Sequence, residues 1–302
     1  MAPTALKRFS KILVAVDVTE EDVAPGPDQS TKVRALLTKA RWLADASDAK
    51  LTLIAIVSVD DPPVVDAATE MLKSIAAAAF AGRDVAVVVR AGVPNVEIVR
   101  QSIDDDADLV MLASRRPGVL ERTLIGSTAQ RVLRRAECPV CVVAPKLHDQ
   151  TDVVLSAVAF HEQTQSILDV SAAMAEHSGG EWHVLHCLEY PKIGEMRLRH
   201  VPAEEQDAYC ADERKKAWDA LHEMCDPLEP DHKLWLAEGQ ASEQVAMAVR
   251  KLGVDLVVMG TIGRVGLPGM LVGNTAEKLF HSAECSVLAI KPPGFRSPLR
   301  EG

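Results

Sequence analysis

The sequence has few aromatic residues and few cysteines, and it lacks a long apolar run. Aromatic residues make up 4% of the 302 residues, and six cysteines are scattered along the chain. Such scattered cysteines do not form the disulfide framework of a small secreted protein, so we expect a reducing, cytoplasmic location. No apolar run approaches the roughly 20 residues that span a bilayer. The first residues, Met1 to Arg8, lack the apolar core of a secretory signal.

Basic residues are also scarce relative to acidic ones. The chain has 33 Lys and Arg against 43 Asp and Glu, and its net charge is −10. Binding to a nucleic-acid backbone calls for clustered Lys and Arg, so we expect no nucleic-acid partner. The composition, 48% hydrophobic and 25% charged, is ordinary for a globular protein. The length leaves room for two domains of about 150 residues each.

One segment occurs twice. Ala91 to Pro145 aligns with Glu238 to Pro292 without a gap, and the aligned residues include Asp108-Leu-Val with Asp255-Leu-Val and Ala136-Glu-Cys with Ala283-Glu-Cys. Two similar units in series are the simplest interpretation. We predict domains at residues 1–148 and 149–302, with a linker near 146–151.

Short apolar strands alternate with helical patterns in each unit, which is typical of βαβ units and a parallel sheet. We therefore predict an α/β fold with two tandem, doubly wound, five-stranded domains. The predicted strands are 11–17, 50–58, 84–90, 108–113 and 139–144, then 152–159, 181–189, 232–237, 254–260 and 286–291. The predicted helices include 31–45, 66–81, 94–105, 127–136 and 203–225. The segment 190–202 is predicted to be a loop, and the proline-containing tail from Pro292 to be poorly ordered.

A glycine-rich stretch follows the fourth strand of the second unit. Gly260 and Gly263 stand three apart, nine residues follow, and Gly273 leads into Asn274-Thr275 and a helical segment. Glycines allow positive φ and a close approach of the backbone to a ligand. The helix N-terminus adds unpaired N–H groups, which suit an anion. The stretch matches neither the Walker loop nor the Rossmann fingerprint. A tight loop without a ligand remains the alternative.

This spacing resembles the G-2x-G-9x-G-Ser/Thr nucleotide loop of the universal stress protein family, and Gly-Asn-Thr-Ala-Glu resembles its tandem E-type members. The resemblance implies an adenine-nucleotide α-hydrolase-like fold and a fifth strand at the edge of each sheet. The two fifth strands would pair antiparallel as a covalent pseudo-dimer. It also implies a stress-response factor that binds ATP or a related phosphate-bearing ligand, with Mg²⁺ accompanying it and little or no turnover.

The resemblance also assigns candidate binding residues, and neither half has the full set. In the family an Asp after strand one contacts the adenosine, a residue of strand two contacts the base, and the glycine loop holds the phosphates. The first half supplies Asp17, Ile56, Gly126 and Ser127, but Ala113 and Arg116 replace two loop glycines. We expect a side chain there to be strained at positive φ and to fill space meant for phosphate.

The second half keeps the loop and lacks the acid, because Ala159 stands where Asp17 does. We expect it to bind phosphate with less choice of nucleoside, since a charged acceptor is missing. Its candidate binding residues are Met259, Gly260, Gly263, Gly273, Asn274, Thr275 and Cys187. Asn274 can still cap the helix and donate a hydrogen bond.

Three alternatives stay open at this point: a slow ATPase, an interaction protein with vestigial sites, and a larger ligand in a wider pocket. The expected partner is a small nucleotide-like molecule, and two pseudo-dimers could form a homodimer. We interpret Cys138 and Cys141 as core residues because their motif enters a strand rather than a helix. His183 and His186 point to opposite faces of a strand, so we expect no metal site.

Overall fold

The described residues of the first half form five strands and four helices. A computed structural model describes residues 9–18, 31–114, 126–145, 151–261 and 285–300. In the first half the elements are β1 (Lys11–Ala15), α1 (Thr31–Ser47), β2 (Lys50–Val57), α2 (Pro62–Ala79), β3 (Val85–Ala91), α3 (Pro94–Asp104), β4 (Leu109–Ala113), α4 (Ser127–Arg135) and β5 (Val140–Val143).

The second half repeats this order with one addition. Its elements are β6 (Val153–Val158), α5 (Thr164–Ser178), β7 (Glu181–Leu188), α6 (Ile193–Leu198), α7 (Ala203–Cys225), β8 (His232–Glu238), α8 (Ala241–Leu252), β9 (Leu256–Gly260) and β10 (Ser286–Ile290), followed by a short 3-10 turn at Pro298–Arg300. Where the first half has α2 alone between its second and third strands, the second half has both α6 and α7.

The described strands form one continuous ten-stranded sheet. Their order is β3-β2-β1-β4-β5-β10-β9-β6-β7-β8. All pairs within each half are parallel, and only β5 and β10 are antiparallel. The order reverses direction between β1 and β4 and again between β6 and β9, so each half is doubly wound. The predicted fold class and the predicted antiparallel pairing of the fifth strands are confirmed.

The inner strands β1, β4, β5, β9 and β10 are almost wholly apolar because the sheet is covered on both faces. Along β1, the side chains of Ile12 and Val14 belong to one buried cluster, and Leu13 belongs to the cluster on the other face. This alternation is the two-residue period of a strand. A short continuous apolar run therefore indicated a central strand correctly.

The repeated Asp-Leu-Val motif has a structural role in both halves. Asp108 precedes β4, and its carboxylate accepts hydrogen bonds from the backbone N–H of Ser10 (2.8 Å) and Lys11 (3.0 Å) at the start of β1. Asp255 precedes β9, and its carboxylate accepts from the N–H of Asp152 (3.0 Å) and Val153 (3.2 Å) at the start of β6. Each carboxylate thus fixes the first strand of its unit against the fourth.

The two halves meet along β5 and β10. Val287 pairs with Val142, Leu288 with Cys141, and Ala289 with Val140. All six residues are buried. The two fifth strands therefore satisfy each other's backbone groups, which an open sheet edge would leave unpaired.

Three expectations about local structure are wrong. α2 begins at Pro62, four residues before its predicted start, since prolines suit the first helical positions. Residues 193–198 form the short helix α6 rather than a loop. The tail is ordered over the described residues 292–300: the N–H of Ser297 donates to Glu137 Oε1 (2.8 Å), and Arg300 pairs with the same carboxylate (2.9 Å). It thereby packs on the first half.

Within the described residues, no helix has both the length and the apolar character that a membrane crossing requires.

Candidate functional site

Strand register defines the equivalent positions of the two halves. Ala15 pairs with Ile54 and Leu112 in the first half, as Ala157 pairs with Leu185 and Met259 in the second. Counting forward from these pairs matches Asp17 with Ala159, Ile56 with Cys187, and Ala113 with Gly260. The equivalences expected from the sequence therefore agree with the strand pairing.

The first-half candidates lie at the carboxyl edge of the sheet. Asp17 is exposed and lies two residues past the end of β1. Ile56 is half-buried in β2 and packs against the apolar cluster on one face of the sheet. Gly126 is the N-cap of α4, and Ser127 is the first, exposed residue of that helix. Arg116 lies outside the described residues.

The second-half candidates are described only in part. The side chain of Met259 is 4% exposed and belongs to the core, so only its backbone can face a ligand. Gly260 is the last residue of β9. Cys187 packs against the same cluster as Ile56, and burial, followed by the charge of Glu189, raises its thiol pKa to about 12. Gly263, Gly273, Asn274 and Thr275 lie outside the described residues.

The turn from β6 into α5 lies next to Gly260. Thr164 and His161 close this turn, because the N–H of Thr164 donates to His161 O (3.0 Å) and the N–H of His161 donates to Thr164 Oγ1 (3.3 Å). The Thr164 hydroxyl also donates to Ala159 O. The N–H of Gln163 donates to His161 Nδ1 (3.1 Å). The turn is thus held by its own hydrogen bonds, with Gln163 at the N-cap of α5.

The side chain of Gln163 packs closely against Gly260. A Cβ built at Gly260 would lie 2.5 Å from Gln163 Oε1 and 3.6 Å from His161 Cε1. Gly260 does not have a positive φ. The expectation that Ala113, at the equivalent position, is strained by positive φ is therefore wrong, since the relevant difference between these positions is the space taken by a Cβ.

Buried polar atoms without a partner concentrate at this edge. Among the described residues five such side-chain atoms occur, and three of them are Gln163 Oε1, Gln163 Nε2 and Thr261 Oγ1. Gln163 is 3% exposed and Thr261, which follows Gly260, is 1% exposed. Native proteins leave few buried polar groups unpaired, and each such group calls for an explanation.

Sequence reasoning missed Gln163, His161 and Thr261. A glutamine or histidine in a turn has no spacing that separates it from a solvated loop residue.

A cavity of about 670 Å³ lies one strand further along the same edge. It is bounded by the residues that follow β7 and β8 and by α6 and α7, and it includes Tyr190, Ile193, Arg197, Gln206 and Gly239. At its rim the Glu238 carboxylate is paired with Arg214 (2.6 Å). Its walls come in part from α6 and α7, which stand where the first half has α2 alone.

The other chemically suggestive residues have structural partners. His183 Nδ1 accepts from Trp235 Nε1 (2.9 Å), and its Nε2 faces Glu181 (3.2 Å). His186 Nδ1 donates to Val158 O (2.9 Å), and its ring stacks on Phe160. Burial raises the thiol pKa of both Cys138 and Cys141 to about 12, which makes them poor nucleophiles at neutral pH. The described part of the chain holds no group of three potential metal ligands.

The fold and the position of the glycine-rich stretch define a class of protein. Two doubly wound α/β units are joined through their fifth strands, and in each the carboxyl edge at the reversal of strand order is the usual place for a ligand. The chain matches the model of the universal stress protein family over residues 8–144 and 151–291. It belongs to that family, with two tandem units.

Individual relatives agree with this assignment. A universal stress protein of Mycobacterium tuberculosis is 27% identical over 194 residues, which cover 63% of each chain. The chain thus spans less than two thirds of that relative. Universal stress protein E of Photorhabdus laumondii is 24% identical over 217 residues, or 68% of each chain. A universal stress protein structure from Pseudomonas aeruginosa covers 96% of this chain and 95% of its own, with a TM-score of 0.69 and 20% identity, which supports the fold alone.

Proposed function

We propose that the chain is a cytoplasmic stress-response factor that holds ATP or a related phosphate-bearing ligand in its second half, accompanied by Mg²⁺. The ligand would lie at the carboxyl edge between β6 and β9, where the glycine-rich stretch begins. The observation that carries this proposal is the set of three buried, unpartnered polar atoms of Gln163 and Thr261 beside Gly260. A bound ligand would give these atoms the partners they lack among the described residues.

The placement of the glycines supports a phosphate rather than an apolar ligand. β9 ends at Gly260, and Gly263, Gly273, Asn274 and Thr275 follow in the spacing of the family's nucleotide loop. Backbone N–H groups at such a loop and the helix after it favour negative charge. In the first half Ala113 and Arg116 interrupt this spacing, so we propose a weaker second site there around Asp17 and Ser127.

The proposal is tested on the full chain as purified. Native mass spectrometry should detect a retained small molecule, and calorimetry of the stripped protein should detect binding of Mg·ATP. In Gly263→Val the added side chain should abolish binding, whereas Arg116→Val at the aligned position of the first half should leave the main binding event intact.

Two other results would contradict the proposal, and each would favour a different function. Absence of binding, with thermal stability unchanged by any nucleotide, would indicate an interaction protein with vestigial sites, because a ligand of the native state must raise its stability. Steady phosphate release that disappears in Gly263→Val would indicate a slow ATPase.

A further inference from the structure

The amide of Gln163 is buried without a hydrogen-bond partner in the described chain. Its residue is 3% exposed, and both Oε1 and Nε2 are unpartnered. Burying an amide in this way destabilises a folded protein unless something else is gained. The exposed Gln165, two residues further along α5, is different because its Nε2 donates to Asp169 Oδ1 (2.7 Å).

The backbone around Gln163 fixes the direction of this side chain. Its N–H donates to His161 Nδ1 (3.1 Å), and its carbonyl accepts from the N–H of Ile167 (3.0 Å) in the first turn of α5. The side chain extends toward the end of β9, where Oε1 is the amide atom nearest to Gly260. Because neither amide atom has a partner, a half-turn of the amide breaks no hydrogen bond and presents Nε2, which can only donate, toward the end of β9.

The first half does not contain this arrangement. Ala113 stands where Gly260 does, and its Cβ takes the space that the glutamine amide approaches in the second half. α1 begins 14 residues after Asp17, whereas α5 begins 5 residues after Ala159, so no described residue of the first half corresponds to Gln163. The described part of the first half therefore lacks both the glycine at the end of the fourth strand and the amide that approaches it.

We propose that Gln163 is the specificity-determining residue of the second-half site and that it donates to a phosphoryl oxygen of the ligand. The site then selects the phosphate rather than the nucleoside, because an amide donor suits an oxyanion and Ala159 offers no carboxylate to a sugar or base. The ligand class is any accessible phosphate ester or polyphosphate, with nucleoside phosphates of different bases bound alike. This inference rests on the proposed function.

The decisive variant is Gln163→Leu, which keeps most of the volume and removes the donor. Affinity for tripolyphosphate and for Mg·ATP should fall about 10- to 100-fold, as expected for a hydrogen bond to a charged group. The midpoint of urea unfolding without ligand should stay the same or rise, since an unpartnered buried amide is removed. If Gln163 had a purely structural role, its replacement would not lower the ligand affinity while keeping or raising the urea midpoint.

Gln165→Leu is the matched control, because it removes an exposed glutamine from the same helix, and it should leave the affinity unchanged. Equal affinity of wild type and Gln163→Leu, or a lower urea midpoint without any change in affinity, would overturn the role of Gln163 while leaving the proposed function intact. Absence of binding in the wild type would overturn both.

The proposed ligand class is tested by competition for the site between labelled ATP and unlabelled compounds. With labelled ATP bound, tripolyphosphate and GTP should compete within about tenfold of unlabelled ATP, since Ala159 offers no carboxylate that would favour one nucleoside. Adenosine should not compete. Displacement by adenosine together with failure of tripolyphosphate would overturn phosphate selection, although ATP binding itself would stand.

Discussion

The two halves share a fold and differ in which part of a ligand site they retain. The first half has an exposed carboxylate at Asp17 and a Cβ at Ala113, whereas the second has Ala159 and Gly260 at the equivalent positions. In the second half an unpartnered glutamine approaches the glycine. Duplicated units can thus keep every strand and still differ, within the ligand site, at the few residues where β1 and β4, or β6 and β9, end.

The largest expected effect comes from returning the missing acid. Ala159→Asp places a charged acceptor where the first half has Asp17, and a hydrogen bond to a charged group contributes about 1.5–3 kcal/mol. The ratio of ATP affinity to tripolyphosphate affinity should rise about 10- to 100-fold in calorimetry. Ala159→Asn supplies a neutral control with a smaller rise. An unchanged ratio would mean that the nucleoside does not lie near residue 159.

A second difference between the halves concerns Lys291, which follows β10 where Ala144 follows β5. It is 7% exposed, its Nζ donates to Leu133 O of the first half, and burial lowers its pKa from 10.5 to about 8. Between these values the unfolded chain holds a proton that the folded chain lacks. The contribution of this lysine to stability therefore increases as pH rises through the window.

This effect is measured as a difference between proteins. The unfolding free energy of the chain with Lys291, relative to Lys291→Met, should increase by roughly 1 kcal/mol per pH unit between about pH 8 and 10. Both proteins carry Cys138→Ala, because the Cys138 thiol and the Lys291 ammonium influence each other's pKa. Subtraction then removes the opposing trend of Cys141, whose raised pKa weakens the fold above pH 9. A flat difference for Lys291 would show that its ammonium is solvated.

The smallest expected effect tests the space at Gly260. In Gly260→Ala the new Cβ would meet Gln163 Oε1 at 2.5 Å, and the flexible end of the glutamine must shift. We expect a loss of ligand affinity of about threefold to tenfold, and an unfolding free energy within about 1 kcal/mol of wild type. In a chain that already carries Gln163→Ala, Gly260→Ala should not change the affinity further. A double-mutant cycle measures this coupling. Ala113→Gly should not change binding. If the effects of the two substitutions on affinity simply add, the side chain of Gln163 does not interact with position 260.

The fold was predictable from the sequence because its information is local or repeated. Central parallel strands are recognisable as short apolar runs. Because the sequence is duplicated, the strands of the second half could be predicted from those of the first. α7 has the predicted bounds, Ala203–Cys225, since its pattern is long. The six-residue α6 was missed because it is shorter than two helical turns and lies between prolines. The tail was missed because Glu137, which holds Ser297 and Arg300, lies far away in the sequence.

The candidate site was predictable only where a motif existed. Glycine spacing pointed to the end of β9, and strand register supports the equivalence of Ala113 with Gly260. The role of Gln163 depends on the approach of an α5 side chain to a β9 backbone, which no local pattern records.

The antiparallel pairing of β5 with β10 sets the directions in which the two halves face. All strands of one half run opposite to those of the other, so their carboxyl ends emerge on opposite margins of the sheet. A molecule held by one half faces away from the other, and a single small ligand cannot bridge the two. Each margin is therefore open to its own partner, and any communication between them must pass through the buried residues that join the halves.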